Sequence, residues 1–129
     1  MRLMGGLKVT MISLTSIRGA MIALLCAHAT VSSTAKKLCV ADLLTVEAAT
    51  ASSVESDYFL ADWAVDGYLD TRWASEAGGQ QWLELDMGTV LFIDAVNLQW
   101  EVAYSRHYDI EYSDEGILWE TARSFTDGV

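Results

Sequence analysis

Proline is absent from this 129-residue chain, and cysteines, histidines and basic residues are few: two, two and eight. Without proline, turns rest on glycine and on short polar side chains such as Asp and Ser. Cys26 falls in an apolar N-terminal run, leaving Cys39 unpaired beyond it, so no disulfide framework can be built. The same shortage argues against nucleophilic catalysis, which needs a Ser or Cys beside an oriented base. Past the N-terminal segment the sole histidine is His107, remote in sequence from Cys39. Glycoside hydrolysis needs two carboxylates across a cleft, and the spacing of Glu55, Glu76 and Glu101 singles out no such pair. The chain is expected not to be an enzyme.

A membrane-length apolar run is missing too. The run Gly19–Val31 (GAMIALLCAHATV) has 13 residues, whereas a spanning helix needs about 20. Arg2, Lys8 and Arg18 precede it, and small residues follow at Ala27-x-Ala29 and Ser33-x-Ala35. This pattern reads as a secretory signal peptide over residues 1–35, with no membrane insertion after its removal and a secreted or extracellular product. The alternative is an uncleaved N-terminal anchor, with the apolar stretch extended upstream past Arg18. Residues 36–43 read as a linker, and residues 44–129 as one domain.

Positive charge is scarce in that domain. All 18 acidic residues lie at or beyond Asp42, and residues 36–129 carry five basic ones, leaving a net charge of −13. Such a surface is repelled by nucleic-acid phosphates and anionic headgroups. Neutral sugars, cationic ligands and divalent metals remain as partners.

What the chain does contain is a β pattern around one polar loop. Leu44–Ser53 is β-branched and small, suiting an edge strand. Phe59, Leu60, Trp63 and Ala64 have helical spacing, giving a short turn that runs into Asp66-Gly67. Leu83, Leu85 and Met87 alternate with Trp82, Glu84 and Asp86, and Val96, Leu98 and Trp100 alternate with Asn97 and Gln99. Tyr108, Ile110 and Tyr112 share a third strand face. Ser113–Gly116 is a turn, and Ile117–Ala122 begins another strand. Several short strands with almost no helix predict an all-β sandwich. Within it, the carboxylate of Asp66, the bend at Gly67 and the hydroxyl of Thr71 are parts of an oxygen-lined loop for a hard cation. Tyr104 falls in a turn between strands, where an aromatic ring can stack on a sugar, and Glu101, Arg106 and His107 flank it as polar partners.

Five elements in order resemble the discoidin family, also called the coagulation factor five/eight type C domain, and its bacterial carbohydrate-binding modules. They are Ala48–Ser53 (AATASS), Ala64–Trp73 (AVDGYLDTRW), Gln81–Gly88 (QWLELDMG), Ala95–Glu101 (AVNLQWE) and Tyr108–Trp119 (YDIEYSDEGILW). The resemblance implies a jelly-roll β-sandwich like that of galactose-binding domains, incomplete here at its C-terminal strands. It implies a structural calcium ion held by the carbonyls of Trp63 and Tyr68 with the side chains of Asp66 and Thr71. It also implies a ligand surface built from loops, expected here at Glu101, Tyr104, Arg106 and His107. Trp73, Trp82 and Trp119 fall where the family packs its core, and Trp100 shares an apolar strand face. The expected function is a secreted, non-catalytic module that binds a polysaccharide or glycan, with a catalytic domain on a longer chain as a further partner. The alternative is a cell-adhesion or protein-interaction module of the same fold.

Overall fold

The computed structural model describes residues 6–12, 20–27, 42–43, 45–91 and 93–127. Strands β1 (Gly6–Ile12), β2 (Ala20–Ala27), β3 (Asp42–Leu43) and β4 (Ala48–Ala51) precede one turn of 3-10 helix at Ala61–Ala64. Then come β5 (Trp73–Ala74), β6 (Gln80–Asp86), β7 (Ile93–Trp100), β8 (Tyr108–Ser113) and β9 (Glu120–Phe125). Five strands form one sheet in the order β4-β6-β1-β8-β9. The second sheet is centred on β2, which pairs with β7 along Met21–Ala27 and with β5 and β3 at its two ends. Every pairing is antiparallel.

Period-two alternation decides which faces meet. Leu83, Leu85 and Met87 of the β6 run are buried, while Trp82 and Glu84 between them are half-buried and Asp86 is exposed. Their side chains join Tyr108 and Ile110 of β8 against Trp73 and Ile93 of the second sheet, with Val96, Leu98 and Trp100 packed on this cluster. Burying each such side chain contributes roughly 1.5–3 kcal/mol. Trp73 is fully buried, and its indole N–H donates to the carbonyl of Ser53 at 2.9 Å. The largest core side chain thus carries no unsatisfied donor. Beside it, the hydroxyls of Ser52 and Ser53 each donate to Gln81 Oε1 at 2.6 Å, tying the end of β4 to β6.

The fold follows the expected strand pattern with several differences. Only Ala61–Ala64 is helical within the predicted turn. The last strand starts at Glu120 rather than Ile117 because Ile117 and Leu118 lie exposed in the connection. Trp82 and Trp119 are half-buried and flank the ammonium of Lys8, 4.8 and 5.2 Å from their ring centroids, instead of joining the core cluster. The N-terminal run expected as a leader holds β1 and β2, and the expected linker holds β3.

Candidate functional site

The turn of 3-10 helix delivers the chain into a loop organised by Asp66. Its Oδ1 accepts from the backbone N–H of Tyr68 at 2.9 Å and from the hydroxyl of Thr71 at 2.8 Å. The Thr71 hydroxyl is also 3.1 Å from the Tyr68 carbonyl. Such a turn, in which an Asp side chain binds the backbone two residues on, is a favoured local use of aspartate. Gly67 sits at φ +84°, a left-handed conformation open to glycine at little cost. Three of the four oxygens expected at a cation therefore converge: the Asp66 carboxylate, the Tyr68 carbonyl and the Thr71 hydroxyl. Trp63 lies in the turn of helix three residues upstream, its N–H donating to the Leu60 carbonyl at 3.2 Å. The donor set is all oxygen, as a hard cation requires, and Asp66 supplies its single carboxylate. Among the described residues no group of three or more His, Cys, Asp or Glu side chains is placed to hold a metal.

The residue after Thr71 links this loop to the second one. Arg72 lays its guanidinium carbon 4.5 Å from the Phe59 ring centroid and places Nη1 4.0 Å from Glu101 Oε1. Its Nε is buried and without a hydrogen-bond acceptor among the described residues. The ion pair is half-exposed on the Glu101 side and adds about 0–1 kcal/mol at most. It is a contact between Arg72, the residue after Thr71, and Glu101, the first residue of the β7–β8 connection. Sequence spacing alone does not mark Arg72 as a site residue. The available signal was a guanidinium between Thr71 and the core residue Trp73, where the backbone holds it beside the loop.

Within the β7–β8 connection the expected ligand residues are differently placed. Glu101 is exposed, and its Oε2 accepts from the N–H of Val102 at 3.0 Å. Arg106 and His107 are exposed, while Ser105 between them and Tyr104 is buried and donates to the His107 carbonyl at 2.8 Å. Tyr104 is half-buried and stacks on Trp100, with centroids 5.8 Å apart and planes at 29°. Trp100 in turn meets Tyr108 at 5.1 Å, and Tyr108 stacks on Phe125 at 4.5 Å. The loop aromatic is thus the outer member of a column of rings that runs into the core. The structure brings Glu101 to Arg72 and Tyr104 to Trp100; Arg106 and His107 remain on the surface of the same connection.

A family model described as F5/8 type C domain matches residues 48–128. The chain belongs to the F5/8 type C domain family. The match runs from β4 through β9 and includes both loops, and the two antiparallel sheets are those of a discoidin β-sandwich. No curated protein and no solved structure showed a significant match to the chain. Domains of the discoidin family are binding modules for carbohydrates or proteins, generally non-catalytic and typically extracellular. Among the described residues no helix is long and apolar enough to cross a membrane.

Proposed function

We propose that this discoidin domain is a secreted, non-catalytic carbohydrate-binding module that holds a polysaccharide or glycan through its β7–β8 connection. The observation that carries this reading is the stacking of Tyr104 on Trp100 in the β7–β8 connection, whose first residue, Glu101, lies 4.0 Å from Arg72. Tyr104, backed by Trp100, offers a rigid aromatic surface for the apolar face of a sugar ring. Arg106 and His107 supply exposed polar groups for its hydroxyls, a planar guanidinium being suited to paired oxygens. An uncharged sugar also avoids the repulsion that an acidic surface exerts on anionic partners.

Calcium would be held by the Asp66 carboxylate, the Thr71 hydroxyl and the carbonyls of Trp63 and Tyr68. There it would supply a fixed positive charge that locks the loop carrying Arg72. Export would be directed by the apolar N-terminal run, and a catalytic domain elsewhere on a longer chain would use the module to reach its polymer.

A second reading, an adhesion or protein-interaction module, has its own support. Val102, in the same connection, is 94% exposed, an apolar side chain better matched to a protein surface than to a sugar. Pull-downs on insoluble polysaccharides separate the two. Arg106→Ala should weaken retention roughly tenfold to a hundredfold, since a hydrogen bond from a charged donor is worth about 1.5–3 kcal/mol. No retention of the folded wild type on any polysaccharide would favour the protein-binding reading.

A further inference from the structure

We infer that residues 6–12 are a permanent strand of the folded module, so that an N-terminal segment that directs export does so without being cut away. The observation is the place of β1. It lies in the middle of the five-stranded sheet, paired along Gly6–Ile12 with β6 and along Gly6–Met11 with β8. No pairing between β6 and β8 themselves accompanies it, so both strands turn their inner edges to β1 alone. Removing it splits the sheet into β4-β6 and β8-β9 and leaves two facing rows of backbone donors and acceptors without partners. Unpaired edges of this kind drive aggregation, and two-stranded fragments are marginal alone.

Side chains fix β1 in this slot independently of the ladder. Lys8 places its ammonium over Trp82 on one flank and Trp119 on the other, 4.8 and 5.2 Å from the ring centroids. The Thr10 hydroxyl, buried in the sheet, donates to the carboxylate of Glu111 on β8. At Gly6 an added Cβ would come within 3.1 Å of the Trp119 ring, so the strand enters the sheet where the indole lies against its backbone. A one-residue slip would turn Lys8 to the opposite face and lose both indoles. Cleavage after Ala29 or Ala35 would remove β1 together with β2, the strand on which the second sheet is centred. Proteolytic loss of the segment would also uncover Trp82 and Trp119.

Two measurements on the full chain test this without reference to any ligand. The first is the N-terminal sequence of the folded protein recovered from a secreting host, which is expected to include residues 6–12. A product beginning at residue 30 or 36 that still unfolds in one cooperative urea transition would overturn the inference. The second is Val9→Pro, which removes a ladder donor from the middle of β1. It is expected to abolish the cooperative transition and increase acrylamide quenching of tryptophan fluorescence. An unchanged urea midpoint and unchanged quenching in that variant would show that residues 6–12 are not in the sheet. Both outcomes are independent of glycan binding, so either claim can fail alone.

Discussion

At the scale of single residues, Asp66 carries the most specific expectation. Its Oδ1 holds both the Tyr68 N–H and the Thr71 hydroxyl. Asp66→Ala removes these contacts and the only carboxylate of the proposed calcium site. A ligand that binds only the folded state adds about 2.7 kcal/mol at a hundredfold excess over its dissociation constant. The wild type should therefore melt higher in calcium than in chelator, and Asp66→Ala should show no such difference. Identical wild-type melts would reduce the loop to a turn. Tyr112 offers a pH test. The hydrogen bond from its hydroxyl to Glu120 Oε2, at 2.6 Å, holds its pKa above the ordinary phenol value, with smaller contributions from desolvation and the charges of Glu120 and Asp114. A raised folded-state value favours the neutral phenol in the fold. Its contribution to stability is present below about pH 10, the unfolded value, and is lost as pH rises through the folded value. Ultraviolet titration, with Tyr112→Phe to assign the signal, should show Tyr112 ionising later than a free tyrosine. Glu120→Gln should bring it down; no change would place the cause elsewhere.

At the scale of elements, the column Tyr104–Trp100–Tyr108–Phe125 ties the candidate loop to the core. Trp100→Ala should cost about 3–5 kcal/mol, as large aromatic truncations in cores do. Tyr104→Ala removes a stacked pair worth about 0.5–1.5 kcal/mol, so it should lower the melting temperature modestly as well as weaken ligand binding. A melting temperature unaffected by Tyr104→Ala would mean that the stack contributes nothing in solution.

The strands at 80–86, 93–100 and 108–113 were legible because one face of each packs on the core cluster, which forces apolar and polar residues to alternate. The edge strand at 48–51 was legible from its small and β-branched residues. Strands β1 and β2 were not. Residues 6–12 and 20–27 fit the pattern of an export signal, and the strands they pair with lie far away in sequence, where local patterning carries no information. Ile117 and Leu118 misled for the opposite reason, being apolar yet exposed between strands. In the site, the Asp66–Thr71 spacing was readable because its contacts are local in sequence. The Arg72–Glu101 and Tyr104–Trp100 contacts depend on how the β7–β8 connection packs, which spacing does not encode.

At the scale of the whole molecule, one ion pair joins the residue after the Asp66–Thr71 loop to the start of the β7–β8 connection, and the acidic balance narrows what the domain can receive. Family membership supplies the class, a binding module for carbohydrates or proteins. The finer reading rests on the coupling between the loops. If calcium stiffens the Asp66–Thr71 loop, the Arg72–Glu101 contact is the route by which that order would reach the proposed sugar-binding connection. Positive coupling between sites is reciprocal, so a bound glycan should also tighten calcium. The most direct test is glycan binding by the wild-type chain on an array, measured in calcium and again in chelator. Glycan binding that is strong in calcium and weakened several-fold in chelator is the predicted result. Absence of binding to every glycan by a folded, calcium-loaded protein would contradict it.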